Sequence, residues 1–323
     1  MKMFMKKMMI YFMWYPLRRT IKHLPLRIIS MIGTLGGYLL YLMSMDKQSI
    51  MAEELNIIMP GKSGSTIREI IRGSFINYCI SEIEVLLYPF MSQNLMKKMV
   101  TIEGKEHLDD ALSRDKGVLL FQAHFGAFQM VMPAIGYNGY KMNQISASAS
   151  IWKDSSTSSI QKRGFDIKAD YEYRLPVRHI SVKSTLRPVF RLLKKNEIVG
   201  ITVDGGGGRN VTPIKFLGRD ANFQQGSADL AIRTGAAIVP AFIITEKGLR
   251  HRLIIHPPIK MNRKGDLGEN RREILQEFAR LLAGYVYRYP THYLYSLYLR
   301  KSRASIDLYP FFSDYNQITM SHY

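Results

Sequence analysis

The residue types best suited to proton chemistry in this chain gather around His124. It follows a short apolar run, Val118-Leu119-Leu120-Phe121, in the stretch Gly117 to Pro133, GVLLFQAHFGAFQMVMP. A short run punctuated by glycine reads as a buried strand. The apolar residues after His124 fit a helix that Pro133 would end. His124 would then stand where a strand gives way to a helix, and open α/β sheets bind ligands at that end of their strands. Gln129 lies five positions on. Along one continuous helix, five residues turn by about 500°, so the two side chains would diverge. They meet only if His124 lies on the turn and Gln129 in the first helical turns. The plainer possibility is a strand-end histidine satisfied by backbone and a glutamine on a solvated face.

An acid ends another apolar run, Glu197-Ile198-Val199-Gly200-Ile201-Thr202-Val203-Asp204. Gly205 to Gly208 follow as a turn. No Gly-Lys-Ser/Thr follows them, so this is not a nucleotide phosphate loop. The turn is either simply flexible or a close backbone approach to a ligand, with Arg209, Lys215 and Arg219 supplying positive charge.

At 323 residues, 46% hydrophobic and 22% charged, the chain has the composition of a globular protein of one or two domains. Its one cysteine, Cys79, excludes an internal disulfide and a multi-cysteine zinc site. With 45 Lys+Arg against 26 Asp+Glu, the net charge is +19. That calls for an anionic partner, either nucleic acid or an acidic membrane surface. No helix-turn-helix, zinc finger or aromatic RNA motif supports the first.

Residues 1 to 45 carry basic residues and no acid, and Ile28 to Met45 runs uncharged. As a helix those residues span about 27 Å, just short of a bilayer's hydrocarbon core. Gly33, Gly36 and Gly37 weaken such a helix. A cleaved signal peptide, a spanning helix, a helix lying in the interface, and a core helix with a mobile basic arm all compete. The interfacial reading, with residues 1 to 45 as an attachment segment, is preferred. Ile67 to Leu87 reads as one long amphipathic helix, with Glu82 and Glu84 on a solvated face. Further strands are expected at Thr101 to Gly104, Met142 to Ser148, Ala236 to Ile244 and Arg252 to His256. Helices are expected at Thr185 to Lys195, Gln225 to Thr234 and Arg271 to Tyr287. The alternation implies an α/β domain over 46–303, built on a mixed, largely buried sheet flanked by helices. Residues 304–323 read as a loosely attached tail.

Several blocks together resemble the lipid A late acyltransferase family, the lauroyl/myristoyl acyltransferases. They are Val118 to Gly126; Leu193 to Gly200, leading to Asp204; Phe216-Leu217-Gly218, then Gly226 and Arg233 to Pro240; and Pro290 to Arg300, with Tyr293 and Arg300. The resemblance covers roughly residues 20 to 300 and implies a glycerolipid acyltransferase-like fold. It also implies an enzyme that moves a fatty acyl group from an acyl carrier protein or coenzyme A thioester to a hydroxyl of a membrane lipid or glycolipid. The thioester is a co-substrate, and no metal or other cofactor is implied. The setting implied is the cytoplasmic face of a bacterial inner membrane. On that resemblance His124 is the general base, with Gln129, Asp204 and Arg163 as further catalytic positions. Gly126, Arg209, Lys215 and Arg233 are the positions expected to contact substrate.

One departure stands out. The family pattern is His, four residues, then an acid, and here the fifth position is Gln129. An amide oxygen can fix an imidazole tautomer but cannot stabilise imidazolium as a carboxylate does. In serine protease triads, Asn for the orienting Asp costs about 10⁴ in rate, yet papain-like proteases use an amide there. The chain is therefore an active variant, an enzyme borrowing an acid such as Asp204, or a relative that binds lipid without turnover.

Overall fold

A computed structural model describes residues 2–146, 158–182, 186–205, 210–261 and 266–315. Seven strands form the central sheet in the order β1 (Val100–Glu103), β9 (Arg250–Ile255), β8 (Ala237–Lys247), β2 (Val118–Gln122), β5 (Ile198–Thr202), β3 (Met142–Ser146) and β4 (Val177–Ser181). All neighbours run parallel except β8 and β9, so the sheet is mixed. A separate antiparallel hairpin is made by β6 (Val211–Phe216) and β7 (Arg219–Gln224).

The apolar character of β2 follows from burial on both faces, as parallel strands covered by helices require. Val118 and Leu120 face one core and Leu119 and Phe121 the other. The strands next to it leave in opposite directions. From β2 the chain passes through the Val131–Tyr137 helix, on the first core, to β3. From β5 it passes through the hairpin and the Gly226–Thr234 helix, on the second core, to β8. Two adjacent parallel strands whose continuations diverge open a crevice at their carboxyl ends. Register does the rest: Gln122 is opposite Thr202, so the residues two further on, His124 and Asp204, face one another across that crevice.

Several sequence expectations need correction. Pro133 does not end a helix. A 3₁₀ turn, Phe128–Met130, follows the His124 loop, and Pro133 lies in the first turn of the Val131–Tyr137 helix, where the missing N–H leaves no bond unmade. Glu84 is not solvated; it is fully buried and paired with His251. The long helix is Gly64–Glu84, continued by a 3₁₀ segment, Val85–Phe90.

Residues 14 to 42 pack against the rest of the domain. Trp14, Leu17, Ile21 and Ile29 are buried in the first core. The glycines of the Leu26–Leu42 helix let it lie against the Gly64–Glu84 helix. A Cβ on Gly37 would come within 2.4 Å of the Ile76 Cα, and one on Gly33 within 2.9 Å of the Ile80 side chain. Among the described residues no single helix is long and apolar enough to cross a membrane, although the bent pair Leu26–Leu42 and Met45–Ile58 passes the same length and composition test together.

The C-terminal segment is also fixed as far as residue 315. Phe311, Phe312 and Tyr315 are buried in the second core, and Arg219 clamps the segment by joining Asp314 to the buried Glu54.

Candidate active site

His124 sits on the loop after β2, held at its backbone and at its ring. Its carbonyl accepts from Ser296 Oγ at 2.7 Å, and its N–H donates to both oxygens of Asp204 at 3.1 Å. Ring Nδ1 lies 2.9 Å from Asp204 Oδ1. Phe128 packs edge-on against the ring, with centroids 5.0 Å apart.

Asp204 is wholly buried, and an ionised carboxylate there would be costly without partners. It has them. Besides His124, Tyr293 donates its hydroxyl to Oδ2 at 2.8 Å and Arg300 Nη2 donates to the same oxygen at 2.8 Å. Arg300 Nη1 also donates to the Asp204 carbonyl. Burial alone pushes the Asp204 carboxyl up. The Arg300 and His124 charges, with the hydrogen bonds from His124 and Tyr293, outweigh it and hold the acid well below the usual carboxylate range. Burial pushes the Tyr293 phenol well up, so it stays a donor.

An ionised Asp204 can only accept, so Nδ1 carries the imidazole proton and Nε2 carries the lone pair. No described residue hydrogen-bonds Nε2, and the His124 side chain is 38% exposed. The arrangement leaves one imidazole nitrogen open and accessible while a buried carboxylate holds the other and fixes the tautomer. The 3.4 Å approach of Arg300 Nη2 to Nδ1 sets two donors side by side, so it is a contact between groups sharing one carboxylate.

Of the partners weighed for His124, the structure supplies Asp204 and not Gln129. The 3₁₀ turn points Gln129 away, and its side-chain amide donates to Ser81 Oγ at 3.1 Å and Glu82 Oε1 at 3.2 Å, while its backbone carbonyl accepts from the Tyr88 hydroxyl. Arg163 lies exposed on the Ser159–Glu172 helix, with no hydrogen bond to this group. Gly126, at φ +60°, packs beneath the loop: a Cβ there would come within 2.0 Å of the Ile243 carbonyl oxygen, and its N–H donates to the His292 carbonyl. Lys215 pairs with Asp220 on the exposed hairpin. Arg233 is exposed four residues before Ala237, at the opposite end of the strands from His124. Arg209 lies outside the described residues.

Tyr293, Ser296 and Arg300 join the site from one face of the chain entering the Leu294–Lys301 helix. Their spacing of three and four residues is the helical signal that unites them. Ser296 and Phe128 carry no signal of their own in the sequence.

A search of curated proteins finds no match. The family model for the bacterial lipid A biosynthesis acyltransferases matches residues 2–301. With nearly the whole chain covered by that match, the protein belongs to the bacterial lipid A biosynthesis acyltransferase family and is an acyltransferase.

Proposed function

We propose that the protein transfers a fatty acyl group from an acyl carrier protein or coenzyme A thioester to a hydroxyl of a lipid A precursor or related membrane glycolipid. The reaction would take place at the cytoplasmic face of a bacterial inner membrane. The observation that carries this reading is the Nε2 of His124, free and accessible while Nδ1 is held by Asp204. In the proposed step Nε2 takes the acceptor O–H proton as that oxygen attacks the thioester carbonyl. Collapse of the tetrahedral intermediate breaks the C–S bond. The thiolate leaves with the proton held on His124, giving ester and free thiol. Because Asp204 supplies the carboxylate, Gln129 does not deprive the imidazole of its partner.

Two further features support the reading. An apolar depression of about 180 Å³, lined by Ile145, Ile180, Val189, Ile201, Val203 and Leu230, opens one residue before Asp204 and suits part of an acyl chain. The Leu26–Leu42 helix turns Ile28, Met31, Leu35, Tyr38 and Leu42 outward, and the preceding segment exposes Phe4, Met8, Tyr11 and Phe12. Lys7, Arg19, Lys22 and Arg27 are exposed beside them. Exposed apolar residues set among basic ones are the signature of a helix lying on anionic lipid.

The test is acyl transfer by purified protein from a long-chain acyl thioester to a lipid A precursor. His124→Ala should lower turnover by about 10²- to 10⁴-fold; an unchanged rate sinks the mechanism. Attachment is tested by sedimentation with anionic vesicles. Met31→Glu with Leu35→Glu should release the protein, and undiminished binding would refute the outward face as the anchor.

A further inference from the structure

Two polar clusters outside the His124 group are closed. The His251–Glu84 pair is sealed in the core. The Glu54–Arg219–Asp314 cluster is covered by the C-terminal segment, with Tyr315 donating to Glu54. Gln224, the last residue of β7, is different. The residue is half-buried, and its amide nitrogen is covered yet has no hydrogen-bond partner among the described residues. It lines the apolar depression. Covering a donor without a partner costs free energy, so an orphaned one calls for an explanation. The Ser227 hydroxyl, on the same wall, is spent on the Gln224 backbone carbonyl at 3.3 Å. A buried water needs several polar partners, and apolar walls supply few. An oxygen carried in by a ligand meets the need with one bond.

Topology places this donor. Gln224 leads into the Gly226–Thr234 helix, whose Leu230 lines the depression and shares the second core with Leu119 and Phe121 of β2, the strand ending at the His124 loop. The opposite wall includes Ile145 and Ile180, from β3 and β4, which lie farther from β2 across the sheet. Gln224 therefore stands on the side nearer His124, and an acyl chain laid in from there passes it with its first carbons. We infer that Gln224 donates its side-chain N–H to an oxygen at the thioester end of the acyl donor. That oxygen is either the thioester carbonyl, which gains negative charge as the acceptor attacks, or a hydroxyl on the chain beside it. An amide NH₂ donates, and both oxygens accept. A bond to the carbonyl lowers the barrier, whereas a bond to the hydroxyl selects which acyl groups are used. The inference rests on the acyl-transfer reading and adds a side chain that reads the acyl donor.

The experiment compares a saturated acyl thioester with a β-hydroxyacyl thioester of equal length, each supplied on carrier protein and on coenzyme A, with a lipid A precursor as acceptor. Wild type and Gln224→Met are assayed together; the replacement keeps the length and removes the donor. If the partner is the carbonyl, kcat falls about 10²-fold with both acyl groups. If it is the hydroxyl, the wild type favours the hydroxyacyl group about tenfold in kcat/KM. The variant then loses that preference, while the saturated group stays within about twofold. Either result sustains the inference and names the oxygen. Rates within about twofold for both acyl groups overturn it. So does a KM rise shared by both with kcat unchanged, which reports lost packing. Thermal melting gives a second reading: with the donor orphaned in the free protein, Gln224→Met should melt no lower than wild type. A lower value would show that the amide already serves the fold, and overturns the inference. Wild-type transfer of neither acyl group removes the acyl-transfer reading, and the inference with it.

Discussion

Among the described residues, two histidine–carboxylate pairs have similar chemistry and opposite accessibility. In His124–Asp204 one ring nitrogen is held, the other is unoccupied, and the histidine is partly exposed. In His251–Glu84 both nitrogens are taken, Nε2 by Glu84 and Nδ1 by the Thr245 hydroxyl at 3.1 Å, and neither side chain reaches solvent. Glu84 joins a helix to a strand 167 positions away. A histidine beside an acid is thus no site by itself. What separates the proposed base from the structural pair is whether the second nitrogen is left open, and that is decided by where the strand ends. His124 lies past the end of β2, in the crevice, whereas His251 lies within β9.

Substitutions should pull the two pairs apart. The largest effect is expected for Asp204→Asn. An amide can offer its N–H to Nδ1 and hold the wrong tautomer, so turnover should fall by about 10³- to 10⁴-fold. Arg300 would also lose its buried counter-charge, which lowers stability. A variant within tenfold of wild type would refute Asp204 as the orienting acid.

Glu84→Gln should do the reverse. Breaking a buried pair costs about 3 kcal/mol or more in chemical denaturation, while turnover per folded molecule stays near the wild-type value. A catalytic loss without a stability loss would erase the distinction between the two pairs.

A related effect comes from His292, whose ring stacks on Phe125 and accepts from the Thr245 N–H. Burial, aided by the His251 charge, pushes its pKa down to about 4 from an ordinary 6.5. The unfolded chain therefore binds the proton more readily than the folded one between those values. The stability gained from keeping His292 neutral is complete above about pH 6.5 and is lost as pH falls toward 4. Urea midpoints of the wild type should drop through that window, and those of His292→Gln should drop less; equal slopes would contradict it.

The smallest change is expected for Gln129→Glu. It places a second carboxylate beside Glu82, so it should weaken folding by about 1 kcal/mol and leave turnover within tenfold of wild type. A rise of two orders of magnitude would show that His124 does need an acid at 129.

Much of this was open to sequence reasoning, for reasons that vary along the chain. β2 is legible because a strand covered on both faces must be apolar throughout. The Gly226–Thr234 helix is legible from its end, where Gly235 takes the left-handed conformation. β4 is hidden in a polar stretch because an edge strand buries only part of its length, here Val177 and Ile180. The hairpin is hidden because its turn, Leu217-Gly218, holds both residues at positive φ with leucine where asparagine would announce it. The meeting of His124 with Asp204 depends on register between β2 and β5, which no local pattern encodes. Glu84 reads as solvated because its partner belongs to a distant strand, and helical spacing alone reports neither.

The glycine contact between the Leu26–Leu42 and Gly64–Glu84 helices has a mechanical consequence. The helix with the outward greasy stripe is seated rigidly on the one whose far turn carries Ser81 and Glu82. If the protein rests on a bilayer by that stripe, as proposed, the seating would fix the height of the His124 crevice above the lipid. Acceptors would then be sorted by how far their reactive oxygen stands clear of the acyl chains, a vertical yardstick independent of any headgroup contact.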